Sequence, residues 1–350
     1  MAHFLLNIYL LTFLLPTKAV AFAEWKDVKD PTLEELSCQF FSLESGKFKI
    51  KEHSSPADLA ESGLGDPVFI VVDKKNKPIG VIKTISTDSQ DGRRSFKSEF
   101  ESLDFLNHLP LKKFHTIKLK GIAETTVHGE KTGLIAEEFA HGYSLNVYLK
   151  KIATTLSNKE RKKLLSELNK GVEKTAIALA ELHKFKMYSH PAHNYLIKFD
   201  SDRPPGPYGL IHGDTHPGNI FYDSKTDTLT FIDFGSSHID REGAPVLQDA
   251  SNFLLTLEIF AAYYHLTSSE ISSLTTTFLT FYQAEIPAAS DNALAFYKSY
   301  YIKAFANPVG WDPEQSSQAK FINNYCNQEL LTFTTSEKQT EVLAITLSRA

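Results

Sequence analysis

Three oxygen-bearing side chains fall close together in the run Gly209-Leu210-Ile211-His212-Gly213-Asp214-Thr215-His216-Pro217-Gly218-Asn219-Ile220-Phe221 and the following Leu229-Thr230-Phe231-Ile232-Asp233-Phe234-Gly235. Asp214 and Asn219 are five residues apart, and Asp233 follows Asp214 by nineteen. The flanking apolar runs read as short strands that pin polar loops at a sheet edge. Hairpin geometry can then bring the three side chains together. A carboxylate with an amide oxygen suits Mg²⁺, which takes hard oxygen ligands and keeps several waters. A further aspartate beside them can orient a hydroxyl and accept its proton. This is equipment for moving a phosphoryl group from a magnesium–nucleotide complex.

These loops need elements to hold them. Val68-Phe69-Ile70-Val71-Val72 is a β-branched run, Asp73 to Pro78 a polar turn, and Ile79 to Ile85 the returning strand, which together predict a hairpin. Phe96, Phe100, Leu103, Phe105 and Leu106 recur at helical spacing. Gly133 to Phe139 reads as a further strand, and Gly142 as a turn. Helical patterns then run through 145–154 and 158–186, the Pro/Gly-rich stretch 203–207 interrupts the chain, and 245–350 is helical and rich in Phe, Tyr and Leu. A small, mostly β lobe is therefore expected before a larger, mainly α lobe, with the join near 139–145.

The chain has 350 residues, 42% of them apolar and 23% charged, which excludes disordered, collagenous and disulfide-scaffold classes. Its net charge of -5 gives no general attraction to phosphate backbones, so nucleic acid is not an expected partner. Cys38 and Cys326 form no C-x-x-C pair and read as free thiols; a disulfide between them requires export. Residues 1–23 carry an uncharged apolar stretch ending at Pro16 and a small-x-small pattern at Ala21-Phe22-Ala23, the layout of a secretory signal peptide without its usual basic start. A dozen apolar residues are too few to span a bilayer, so no stable membrane insertion is expected after cleavage.

H-G-D-x-H-x-x-N followed by I-D-F-G resembles the catalytic and metal-binding loops of the aminoglycoside phosphotransferase and choline kinase-like superfamily. That resemblance implies an α+β, two-lobed, protein-kinase-like fold. It has a small antiparallel β lobe with one helix (24–140) and a larger mainly α lobe (141–350). It implies ATP and Mg²⁺ as cofactors and transfer of the γ-phosphoryl group to a hydroxyl. Asp214 would be the catalytic aspartate, and Asn219 and Asp233 the Mg²⁺ ligands. His212 would support the loop, and Asp249 would brace it from the next helix. Lys83 would contact the nucleotide phosphates and Glu99, sixteen residues on, would hold it; Glu101 is a rival at another helical angle. Gly63 and Gly65 would form a turn over the phosphates, and Glu138-Phe139 the hinge meeting the adenine. His216 reads as a hydrogen-bonded loop histidine.

Gly213 stands where protein kinases carry the arginine of H-R-D, and only thirteen residues separate Gly235 from Asp249. That leaves little room for a peptide platform and favours a small-molecule hydroxyl acceptor. Tyr263, Tyr264, Tyr297, Tyr300, Tyr301 and Trp311 could form an aromatic cage for a cationic amine, although aromatic clusters more often build cores. A signal-like segment and ATP chemistry sit badly together. Export into an ATP-containing space, action in a secretory lumen that receives ATP, and a cytoplasmic enzyme all fit, and the rival reading is a catalytically silent exported binding module. Lys83, Asp214, Asn219 and Asp233 are all present, which favours the enzyme.

Overall fold

The computed structural model describes residues 25–53, 68–127, 130–185, 188–190, 207–234, 238–240, 244–307 and 317–331. The signal-like segment 1–23, the expected phosphate turn at Gly63 and Gly65, Gly235 and Trp311 lie outside the described residues. The expected two-lobed α+β layout is found. The first lobe runs β1 (Trp25–Val28), α1 (Pro31–Phe41), β2 (Phe48–His53), β3 (Val68–Asp73), β4 (Pro78–Ser86), α2 (Gln90–Asn107), β5 (His115–Thr116), β6 (Leu119–Val127) and β7 (Glu130–Glu138). After a connector at 139–142, the second runs β8 (Tyr143–Ser144), α3 (Leu145–Thr154), α4 (Asn158–His183), β9 (Tyr188–His190), β10 (Tyr208–Gly209), β11 (Ile220–Asp223), β12 (Thr228–Phe231), β13 (His238–Asp240) and β14 (Ala244–Pro245). It continues through α5 (Leu247–Tyr263), α6 (Ser268–Glu285), α7 (Asp291–Ala306) and α8 at residues 317–331.

Six strands of the first lobe form one antiparallel sheet in the order β1-β2-β3-β4-β7-β6. The β3–β4 hairpin turns where expected. The Asp73 carboxylate accepts the backbone N–H groups of Lys75 and Lys77, each at 2.8 Å, and Asn76 takes the left-handed conformation that short polar side chains tolerate. Strand alternation then sorts the side chains onto two faces. On the outer face Phe69, Val71, Ile82, Leu134 and Ala136 pack with Leu33, Phe40 and Phe41 of α1. On the inner face lie Val81, Lys83 and Ile85 of β4 with Ile135 and Glu137 of β7.

Helix α1 is a second helix in this lobe beyond the one the sequence reading placed there. Asp30 caps it by accepting the N–H groups of Thr32 and Leu33, Pro31 opens it, and Ser42 in the left-handed region ends it. Helix α2 is the expected one and carries Glu99 on its buried side. In the second lobe α5 is apolar and buried on nearly every face, so it sits at the centre with α4, α6 and α7 around it. The short sheet β5-β12-β11-β8 packs against α4 and carries the two polar loops, residues 212–219 and 232–234.

Candidate active site

Register places the first half of the site. On β4, Val81 pairs with Glu137 and Lys83 with Ile135 of the neighbouring strand, so the Lys83 and Glu137 side chains emerge on the same face. The Lys83 ammonium lies 2.6 Å from Glu99, 3.4 Å from Glu137 and 3.8 Å from Asp233. The last contact crosses from one lobe to the other. Burial alone would lower the Lys83 pKa, but Glu137, Glu99 and Asp233 outweigh it and hold the ammonium well above its usual range. Burial first, then crowding by Glu99 and Asp233, pushes the Glu137 carboxyl up to about 7 against the pull of Lys83.

The second half hangs on Asp249, near the start of α5. Its carboxylate accepts the backbone N–H groups of His212 at 2.6 Å and Gly213 at 3.0 Å. It also meets His183 Nε2 at 3.2 Å, while His183 Nδ1 meets the Tyr282 hydroxyl at 2.7 Å. Burial would raise this carboxyl, yet His183 and His212 outweigh burial and hold it low. Gly213 turns the chain with φ 85°, a conformation that costs other residues energy. His212 Nε2 meets the Ile232 carbonyl at 2.9 Å, and Ile232 N–H donates to the Asn219 carbonyl at 3.0 Å, so the two loops are stitched together. Asp233, with φ 64°, departs from the strand geometry and brings its carboxylate within 3.8 Å of Lys83.

Between these anchors sit Asp214 and Asn219, both fully buried. The Asn219 amide donates to the Asp214 carbonyl at 3.0 Å and to its carboxylate at 3.2 Å. One carboxylate oxygen of Asp214 and the amide oxygen of Asn219 have no hydrogen-bond partner. Burial first, then the charge of Asp233, raises the Asp214 carboxyl well above its usual range. Buried oxygens left without donors are costly unless something else meets them. With Asp233 they form a set of hard donors of the kind Mg²⁺ takes. Among the described residues no three His, Cys, Asp or Glu side chains form a metal-ligating group. His216 accepts the Gly218 N–H at 3.0 Å, and burial and His212 push its pKa down to about 3, so it is a neutral loop histidine as expected.

A cleft lies between the lobes. Ile70 and Val81 roof it, Phe221 and Ile232 floor it, and residues 137–140 with Lys83 line its inner side. Glu138 lies on this lining, but its backbone N–H is already given to the Lys118 carbonyl and its carboxylate is 3.9 Å from Lys120. The carboxylate that meets the lysine is Glu137. The sequence reading missed that residue, because a Glu-Glu pair on a strand puts one side chain on each face and only the register says which. Glu99, not its rival Glu101, meets Lys83. Tyr297 and Tyr301 are buried in the helical core rather than lining a cage. Cys38 and Cys326 are both free.

Residues 177–254 match the model of the phosphotransferase enzyme family, part of the aminoglycoside phosphotransferase and protein-kinase-like superfamily. The matched span runs from the end of α4 through Asp214, Asn219 and Asp233 to Asp249. No curated protein matches the chain.

Proposed function

We propose, from a segment that matches the phosphotransferase enzyme family, that this chain transfers the γ-phosphoryl group of ATP to a hydroxyl of a small molecule. The observation that carries the reading is the contact across the cleft. Lys83, held by Glu99 at 2.6 Å in one lobe, faces Asp233 of the other at 3.8 Å, and Asn219, Asp214 and Asp233 lie on stitched loops. A nucleotide base would lie between Ile70 and Val81 above and Phe221 and Ile232 below, the apolar residues that line the cleft. Lys83 stays protonated and donates to phosphate oxygens.

Asn219 and Asp233 would hold Mg²⁺, which supplies neutralisation of phosphate charge when bound. Asp214 orients the acceptor hydroxyl. Its raised basicity lets it take the hydroxyl proton as the acceptor oxygen bonds to the γ-phosphorus and the bond to the ADP oxygen breaks. The Asn219 amide keeps that carboxylate aimed while the transfer proceeds. Closing the lobes excludes water, which would otherwise compete as acceptor. The test is ADP formation from Mg-ATP with pooled hydroxyl compounds: sugars, amino alcohols, aminoglycosides and nucleosides. Stimulation above an Asp214→Ala blank is expected. ADP formation equal to that blank in every pool would contradict the reading.

A further inference from the structure

The cleft holds one ionisable group that phosphoryl transfer does not require. Glu99 alone suffices to aim Lys83, and Asp233 belongs to the metal-binding loop. Glu137 is an additional carboxylate on the strand beside Lys83, 3.4 Å from its ammonium and almost wholly buried, and it lines the cleft. Its Oε1, the atom that faces the ammonium, makes no hydrogen bond beyond that ion pair. One ammonium therefore faces three carboxylates, so the region is over-supplied with negative charge before any phosphate arrives.

An incoming nucleotide brings more. Its phosphates need donors from Lys83, and each oxygen that reaches the ammonium comes within a few ångströms of Glu137. We infer that Glu137 is a positioning residue that competes with the nucleotide's phosphates for Lys83. It draws the ammonium back against β7 in the empty cleft and weakens the grip on phosphate when the cleft fills. This rests on the reading of Lys83 as the phosphate contact. The chemistry sorts ligands by their phosphates: ATP and ADP feel the competition, whereas adenosine, with the same base and sugar, does not.

The full chain is titrated with Mg-ATP, Mg-ADP and adenosine, as wild type and as Glu137→Gln. The variant should bind both phosphorylated ligands at least about tenfold more tightly, since a unit charge a few ångströms away is worth more than that factor even through an effective dielectric near 20. Adenosine affinity should stay within about twofold. In turnover, KM for ATP should fall by the larger factor and kcat change less. Glu137→Met, which keeps the bulk and removes the charge, should shift ATP the same way, and Glu99→Gln, which frees Lys83 from its anchor, the opposite way. Equal shifts for ATP and adenosine would show that Glu137 shapes the base pocket instead, and weaker ATP binding by both Glu137 variants would show that it holds Lys83 in place; either result overturns the inference. Wild-type protein that binds neither ATP nor adenosine would overturn the nucleotide reading itself, and the inference with it.

Discussion

Asp249 and the Lys83 cluster are both buried charge, and the chain treats them in opposite ways. Asp249 spends its carboxylate fully, on two backbone N–H groups and His183, and its pKa is held low. Asp214 keeps a carboxylate oxygen without a partner, Glu137 Oε1 has only its ion pair with Lys83, and both pKa values are pushed up. A satisfied buried charge fixes a loop. An unsatisfied one is stored cost that only a ligand or a proton removes, and such groups concentrate at functional sites. Asp249 holds the backbone of Gly213, next to Asp214, yet substitutions at the two carboxylates should fail in different ways.

The largest effect belongs to Asp214. Asp214→Ala should lower turnover by about 10³-fold, within the range a positioned general base contributes, and leave ATP affinity largely intact. Because one oxygen of the removed carboxyl has no partner, the melting temperature should hold or rise. A turnover assay beside a thermal melt checks both. Asp249→Ala should reverse that pattern. It strips two loop N–H groups and a buried histidine of their acceptor and should cost about 3–5 kcal/mol of stability, the range for breaking a buried pair; denaturant unfolding reads this directly. If both variants destabilise equally, the contrast between them is wrong.

Glu137 gives the pH test. Its carboxyl stands at about 7 against an ordinary 4.5, so the folded chain binds that proton more tightly than the unfolded chain. The stability it contributes is therefore full below about 4.5 and is lost as pH rises through about 7. Melting temperatures across pH 5 to 8 should fall in wild type, and Glu137→Gln should flatten the slope. The smallest effect is at Gly213, whose φ of 85° suits glycine. Gly213→Ala should cost about 1–2 kcal/mol, the penalty for placing a side chain in the left-handed region. A loss under a few tenths would mean that the turn relaxes and does not define the loop.

Local signals made most of this legible. The β3–β4 turn, the hydrophobic spacing of α2 and α3, and the spacing of Asp214, Asn219 and Asp233 all depend on neighbours within a few residues, or on a motif with fixed geometry. The pairing of Lys83 with Glu99 followed from a family resemblance, and the two side chains lie 2.6 Å apart. Helix α1 was missed because its apolar residues, Leu33, Phe40 and Phe41, gain their meaning only from the sheet face they cover. Glu137 was missed for a similar reason. Strand alternation says that Glu137 and Glu138 diverge, but the pairing with Val81 decides which of them enters the cleft. Long-range register is tertiary information, and no short window of sequence contains it.

The central claim is that phosphate leaves ATP for a small hydroxyl compound with Asp214 as base. Transfer of label from γ-³²P-ATP tests it most directly, using the full chain, Mg²⁺ and pooled acceptors, with products separated by size and charge. Label is expected in a small-molecule product and is expected to be absent with Asp214→Ala. Label found on protein, or released only as inorganic phosphate whatever acceptor is present, would contradict it.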